Sequence, residues 1–376
     1  MHMKFVFIYR INIKKEHGNK DVFLIPYYLN KIENIKTRIV WNFVDYDKWC
    51  LQWEWKLQLL NVWFKWWGGR NFNIIKYILW NFNEIDILWL IHINRYNILW
   101  IIIYKLLNHN WKIYIKLDDN SKKKEKYFNK KIINLLIWSL CDVISVETLE
   151  WYKKYEKFWN LLKRKLVLMP NWYNEDLLEN LYPKIKSWEE KDNIIITVSR
   201  IWSYQKNSEL MLDILKKISL ETRKVYIIWT IDKDFSKKIE KFYSLNPNLI
   251  WKVIFTWPIY DKKELYRYYN DAKIFLLTSR SEWFPLVFPD ALYFWNRIIT
   301  TDVSSSEDIT NNWEFWDIVH QDNIVIDNFC SILQYYINWQ KNNDSINEHQ
   351  YCKEHFNWKH LIKIPATKLW LFKYIK

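Results

Sequence analysis

Short apolar runs rich in β-branched and aromatic residues alternate along this chain with longer stretches of helical period, and few folds accept that alternation. In the first half the strand-like runs fall at residues 4–9, 85–91, 112–117, 142–146 and 166–169, with helix-like stretches at 71–81, 96–108 and 122–139. The second half repeats the pattern, with runs at 193–198, 224–228, 252–256, 273–277 and 297–301 and helical stretches at 207–218, 233–244 and 262–270. Runs this uniformly apolar suit strands covered by helices on both faces, which means parallel sheets. The two series meet at a charged stretch, residues 182–192, holding Pro183 and Glu189-Glu190-Lys191. A chain of 376 residues is long enough for two domains divided there.

The turns between these elements carry an anomaly. Such turns favour glycine, yet the chain has 3 Gly and 27 Trp. An average chain of this length carries about 26 Gly, close to the two counts together. Trp172 follows Pro170-Asn171, Trp229 ends the strand-like run at 225–228, and Trp66-Trp67 runs into Gly68-Gly69. Trp111 follows Asn108-His109-Asn110, and Trp257 precedes Pro258. Large aromatics do not select chain-breaking positions so regularly. A dozen oversized side chains in tight turns, at roughly 1–3 kcal/mol each, would exhaust a total stability of about 5–15 kcal/mol. Most of these tryptophans therefore read as glycines encoded by UGA and translated as Trp. Trp66, Trp172, Trp202, Trp229, Trp257, Trp283 and Trp295 are the clearest cases. Folded as tryptophan, their indoles should lie exposed in loops or crowd the cleft between domains. The competing reading is a truly Trp-rich carbohydrate or nucleic-acid binder with aromatic stacking surfaces.

The formal net charge is +14, most of it in the first 180 residues. A basic first half suits an anionic membrane surface or anionic substrates; an AT-rich genome, enriching Lys, Asn and Ile, gives the same composition. Cys50, Cys141, Cys330 and Cys352 form no CxxC pair and have no His at zinc spacing, which points away from a disulfide framework or a metal site. Residues 1–10 read as a strand rather than a signal peptide. The most apolar long stretch, 85–107, is interrupted by Asp86, His92, Asn94 and Arg95. The expected location is the cytoplasm, with peripheral contact at the inner face of the membrane.

Two loops carry candidate chemistry. In the first, Ile196-Thr197-Val198-Ser199-Arg200-Ile201-Trp202 leads to Lys206-Asn207, a strand, a turn and a helix start. That turn would bring Arg200 and Lys206 to the carboxyl edge of the sheet, where open α/β folds bind ligands. Two cations beside a free helix N-terminus suit a diphosphate, although an Arg and a Lys six residues apart are, alone, ordinary surface charges. In the second, a strand ends at Thr278-Ser279, a loop carries Glu282, and a helix is expected to begin near 284–286. Trp283 read as Gly would let backbone amides approach a phosphate closely. On a continuous helix Glu282 and Asp290 would lie two turns apart and face one cleft; the plain alternative is a solvated helix face.

These residues resemble the donor domain of the retaining glycosyltransferases of GT-B architecture, family four. Ser279-Arg280-Ser281-Glu282-Trp283-Phe284-Pro285-Leu286 is similar to that family's Ser-x-x-Glu-Gly-Phe-Pro-Leu loop, and Asp290 stands eight residues on, where the family has a second Glu. Val198-Ser199-Arg200-Ile201-Trp202 with Lys206-Asn207 resembles its Gly-Arg-Leu…Lys-Asn element, and Phe255-Thr256-Trp257-Pro258 its Phe-x-Gly turn. Asp142-Val143-Ile144-Ser145-Val146 and Met169-Pro170-Asn171-Trp172 resemble the end of its acceptor domain. Each match improves when Trp is read as Gly, and together they span about residues 140–310. The first half resembles the family more loosely. Gly18, with Asn19-Lys20-Asp21, stands for the loop after the first strand, where the usual double glycine is missing. Lys116-Leu117-Asp118 stands for a cleft-facing strand end.

The resemblance implies two Rossmann-like, doubly wound parallel-sheet α/β domains facing a cleft. The acceptor-binding domain would span 1–182 and the donor-binding domain 183–350, with a C-terminal helical segment, 351–376, packing back towards the first. It implies that Arg200 and Lys206 neutralise the leaving nucleotide diphosphate, helped by amides near Phe284, Pro285, Leu286 and Val287. Glu282 would hold the sugar hydroxyls and Asp290 the ribose, with Ser279 lining the donor site. The acceptor, a glycan or lipid-linked molecule, would meet Gly18, His92, Asp118 and Asn171. No metal and no cofactor beyond the nucleotide diphosphate sugar co-substrate is implied, and no nucleic-acid partner. A phosphorylase or epimerase on the same scaffold is the rival enzyme, because fold does not fix function.

Overall fold

The protein's computed structural model describes residues 3–9, 20–32, 35–41, 58–61, 70–107, 110–117, 137–158, 163–200, 203–228, 233–309, 317–338, 354 and 358–369. Two compact units divide the chain: residues 1–174 with 356–376, and residues 175–355.

Among the described residues, unit 1 is built on a seven-stranded sheet in the order β3-β2-β1-β4-β5-β6-β7. Its strands are β1 (Met3–Tyr9), β2 (Ile35–Trp41), β3 (Gln58–Asn61), β4 (Ile87–Ile91), β5 (Lys112–Leu117), β6 (Val143–Val146) and β7 (Leu166–Leu168). Every neighbouring pair is parallel. Helices α1 (Asp21–Asn30), α2 (Arg70–Asn81), α3 (Arg95–Leu107), α4 (Leu149–Phe158), α12 (Trp358–Leu361) and α13 (Lys363–Lys368) flank it. The inner strands are buried along nearly their whole length, Phe5 to Tyr9 and Ile87 to Leu90 among them. That burial is why they read as unbroken apolar runs.

Unit 2 repeats the plan with six strands in the order β10-β9-β8-β11-β12-β13. They are β8 (Asp192–Val198), β9 (Lys224–Ile228), β10 (Val253–Thr256), β11 (Ala272–Leu277), β12 (Arg297–Thr301) and β13 (Asp317–Val319). All their pairings are parallel as well. Its helices are α5 (Glu175–Leu181), α6 (Ser208–Lys217), α7 (Lys233–Leu245), α8 (Lys262–Asp271), α9 (Val287–Tyr293), α10 (Ser306–Ile309) and α11 (Val325–Asn338). In both sheets the strand order reverses beside the first strand, between β1 and β4 and between β8 and β11. Open α/β sheets bind ligands outside the carboxyl ends of the strands at such a switch point.

Strands β2, β3 and β13 were not among the runs picked out by apolarity. β2, Ile-Lys-Thr-Arg-Ile-Val-Trp, interleaves charged residues at Lys36 and Arg38, and β13 has only three residues. No helix among the described residues is long and apolar enough to cross a membrane.

Several tryptophans sit where their chemistry is poorly served. Trp295 has φ of 57° directly after α9. Its N–H donates to the Leu292 carbonyl at 3.0 Å, and that of Asn296 donates to Ala291 at 3.0 Å. This is a complete Schellman ending, with an indole-bearing residue at the left-handed position that glycine usually fills. The indole N–H groups of Trp89, Trp151, Trp188 and Trp358 are buried with no hydrogen-bond acceptor among the described residues, each at a cost of about 1–3 kcal/mol. Trp257 is 88% exposed and Trp283 38%, as expected of indoles in turns. Trp172 departs from that expectation: it is buried, its ring centroid 4.4 Å from that of Tyr173, so the core of unit 1 accommodates it. Trp66, Trp202 and Trp229 lie outside the described residues.

Candidate active site

The unit 2 switch point is lined by the loop after β8 and the loop after β11. After β8, Arg200 is exposed, with no hydrogen bond or ion pair to another described side chain. A 3-10 turn, Tyr204–Lys206, then leads to Asn207, whose φ of 49° and ψ of 47° are left-handed. Asn is one of the few residues that takes this conformation readily, and it turns the chain into α6. The turn presents Lys206 towards the second loop, and Lys206 Nζ lies 2.5 Å from Glu282 Oε1. Both side chains are largely buried, at 12% and 7% exposure.

Gln205 completes the junction, and no sequence signal identified it. Its Nε2 donates to Glu282 Oε2 at 3.2 Å and to the Ser281 carbonyl at 2.8 Å, while its own carbonyl accepts from the Arg280 amide at 2.7 Å. The Arg280 guanidinium donates to the Tyr204 carbonyl at 2.6 Å and lies 4.2 Å from the centre of that ring. Glu282 is thus held by two side chains, one charged and one neutral, from a single turn.

Ser279 is fully buried, and its carbonyl accepts from Thr301 Oγ1 at 2.5 Å. Phe284 and Pro285 are buried, Leu286 and Val287 half-buried. The helix begins at Val287 rather than at 284–286, because Pro285 disfavours helical backbone at Phe284. Glu282 and Asp290 therefore do not share a continuous helix, and each has its own partners. Asp290 accepts from the Tyr266 hydroxyl of α8 at 3.5 Å. Burial pushes its carboxyl up from 3.8 to about 6, against the opposing pull of the Lys262 ammonium and the Tyr266 hydroxyl.

At the carboxyl edge of the unit 1 sheet, Lys116 is fully buried. Its ammonium donates to Asp21 Oδ2 at 2.6 Å, Glu147 Oε1 at 2.6 Å and Asn171 Oδ1 at 2.8 Å, saturating its three donors. His92 lies beside it in a left-handed turn with φ of 61°, its amide donating to the Lys116 carbonyl at 2.8 Å. Asn171 and His92 thus meet at one lysine, whose role sequence spacing did not reveal. Gly18 and Asp118 lie outside the described residues. Among the described residues no group of three His, Cys, Asp or Glu side chains forms a cluster able to hold a metal ion.

Residues 179–338 match the family model "Glycosyl transferases group 1", a stretch inside unit 2 that contains both loops. No curated protein sequence matches the chain. Among solved structures it is similar to the apo form of the lipopolysaccharide outer core galactosyltransferase WaaB (14% identity, TM-score 0.70, covering 99% of this chain and 100% of that one). It is similar to Anabaena HepE in complex with UDP and glucose (12% identity, TM-score 0.70, 98% and 100%). It is also similar to the N-terminal domain of Candida albicans trehalose-6-phosphate phosphatase (11% identity, TM-score 0.74, 98% and 97%). At these identities the likeness establishes the fold, which is the two-domain GT-B α/β fold. The family match over unit 2 adds support for glycosyl transfer as the activity.

Proposed function

We propose that this chain transfers a sugar from a nucleotide diphosphate sugar to a glycan or lipid-linked acceptor, with retention of anomeric configuration and without a metal ion. The observation that carries this reading is the buried Lys206–Glu282 pair at the unit 2 switch point, inside the segment matching group 1 glycosyl transferases. In the reaction the bond from the anomeric carbon to the diphosphate oxygen breaks, a bond to the acceptor oxygen forms, and the acceptor hydroxyl gives its proton to the leaving diphosphate. The nucleoside diphosphate leaves with negative charge, which Lys206, Arg200 and the backbone N–H groups of Phe284, Leu286 and Val287 stabilise. Glu282 holds the sugar hydroxyls and Asp290 the ribose; Gly18, His92, Asp118 and Asn171 serve the acceptor. The HepE complex with UDP and glucose makes uridine diphosphate sugars the first donors to test.

The natural protein carries glycine at most of the tryptophan positions, encoded by UGA; the left-handed Trp295 supports this. Reading the codons and weighing the native protein checks it, and UGG at Trp202 and Trp283 would withdraw the donor-site roles. The expected location is the cytoplasm, at the inner face of an anionic membrane.

The test of function is a thermal-shift screen of nucleotide diphosphate sugars, followed by transfer assays with the stabilising donor. Stabilisation by one donor and acceptor-dependent release of nucleoside diphosphate are expected. Stabilisation by none, with no turnover, would remove the reading. A second reading, a non-catalytic carbohydrate binder, draws on the exposed indoles of Trp251 and Trp257, at 84% and 88%. Donor turnover excludes it.

A further inference from the structure

Helices α2 and α3 pack side by side in unit 1 and turn an unusual face outwards. On α3, Leu99, Ile102 and Leu106 are exposed at 43%, 41% and 74%, and their spacing of three and four residues sets them in one stripe. On α2, Phe72 and Leu79, two turns apart, are exposed at 45% and 42%. The opposite faces of both helices are in the core, through Ile74, Ile78, Ile101 and Tyr104. An exposed helix of a globular protein ordinarily puts polar residues on its outer face, and one that is apolar all round has a covering to find. Exposed apolar side chains gathered on two packed helices mark an interaction site.

The charge on this face selects the partner. Neither helix contains an acidic residue. Lys76 lies between Phe72 and Leu79 on α2, its ammonium 4.8 Å from the Phe72 ring centre, and exposed Arg95 heads the α3 stripe, one turn before Leu99. A second copy of the chain would bring Lys76 and Arg95 against their own like, on a protein of net charge +14. An anionic lipid surface instead accepts aliphatic side chains at the headgroup boundary and attracts the cations around them.

We infer that the outer face of α2 and α3 is a membrane-docking surface, with Leu99, Ile102 and Leu106 entering the headgroup region and Lys76 and Arg95 meeting anionic lipid. The inference gives the lipid-linked acceptor reading a location and rests on it for purpose, but vesicle binding and sugar transfer are measured separately. Trp80, at the end of α2, is 70% exposed on this helix as well, but none of the residues the inference names is a tryptophan.

The test is co-sedimentation of the full chain with vesicles of phosphatidylcholine alone, or of phosphatidylcholine with phosphatidylglycerol. Binding to the mixed vesicles, weakened by salt, is expected. The combined Leu99→Ser, Ile102→Ser and Leu106→Ser variant should lose more than about tenfold in binding, and Lys76→Glu with Arg95→Glu should lose the preference for phosphatidylglycerol. All five side chains are at the surface, and unchanged circular dichroism with unchanged turnover of a water-soluble acceptor would show the variants folded. No binding to mixed vesicles, or equal binding by wild type and the triple serine variant, would overturn the inference. So would a wild-type dimer in solution that the triple variant turns into a monomer, since the face would then join two copies. Loss of transfer with vesicle binding intact would count against the proposed reaction and leave the docking surface standing.

Discussion

Trp295→Gly, compared with Trp295→Ala, tests the backbone at the end of α9. Both variants remove the same indole, so its packing cancels and the comparison isolates the main chain. With φ of 57°, a residue bearing a Cβ pays roughly 1–2 kcal/mol for the left-handed conformation. Glycine avoids that but gives up about 0.5–1 kcal/mol through its greater freedom when unfolded. The balance favours glycine by about 1 kcal/mol, a melting-temperature difference of about 2–4 °C for a unit of this size. The sign matters more than the size. At an ordinary helical position alanine is the more stable by about 0.5–1 kcal/mol, so the Schellman ending predicts the reverse order. Differential scanning calorimetry of the two variants at one pH and protein concentration reads it directly. An alanine variant melting at or above the glycine variant would show that the site does not demand glycine, and the strongest structural support for recoding at this position would be gone.

Four further outcomes are expected. Because burial raises the Asp290 carboxyl from 3.8 to about 6, the folded state binds that proton more tightly than the unfolded chain, and stability falls as pH rises through that interval. Asp290→Asn removes the effect, so its stability relative to wild type should climb by about 2 kcal/mol between pH 4 and pH 7; urea titrations giving a flat difference would contradict it. Lys206→Ala leaves the Glu282 carboxylate buried and uncompensated and should destabilise by about 3–5 kcal/mol, whereas exposed Arg200→Ala should stay within about 0.5 kcal/mol. Arg200→Ala should still lose about 2–4 kcal/mol of transition-state stabilisation, and near-normal kcat would end its diphosphate role. Turnover should persist in excess EDTA; its loss, with recovery on adding Mg²⁺ or Mn²⁺, would reject the metal-independent mechanism.

The fold was legible wherever a strand is buried on both faces. The runs at 4–9, 85–91 and 273–277 are almost wholly apolar, and composition alone marks them. β2 escaped notice because Lys36 and Arg38 break its apolar run. At the site, the loop motifs brought Lys206 and Glu282 to attention separately, 76 residues apart; their pairing depends on β8 and β11 being neighbours, which a one-dimensional pattern does not state. Gln205 was invisible for a related reason, since a neutral side chain beside a charged one carries no distinguishing signal. Lys116 looked like a strand-end charge reaching into a cleft, yet it is fully buried, and its three acceptors come from distant segments. The motif alone sets the start of α9 too early, at 284–286, because it does not show that Pro285 restricts the backbone at Phe284.

The junction between the loops after β8 and β11 is made largely through the main chain. The Arg280 amide bonds to the Gln205 carbonyl, Gln205 Nε2 to the Ser281 carbonyl, and Thr278 Oγ1 to the carbonyls of Lys206 and Asn207. Two loops fastened in this way do not open one at a time; they form a single cooperative unit of local unfolding. In a hydrogen-exchange experiment the Arg280 amide should exchange with the neighbouring ends of β8 and β11, not at the fast rate of a free surface turn. A diphosphate arriving at Lys206 would then find its binding groups already fixed, and accommodation falls to the lysine changing its partner rather than to the backbone closing around the ligand.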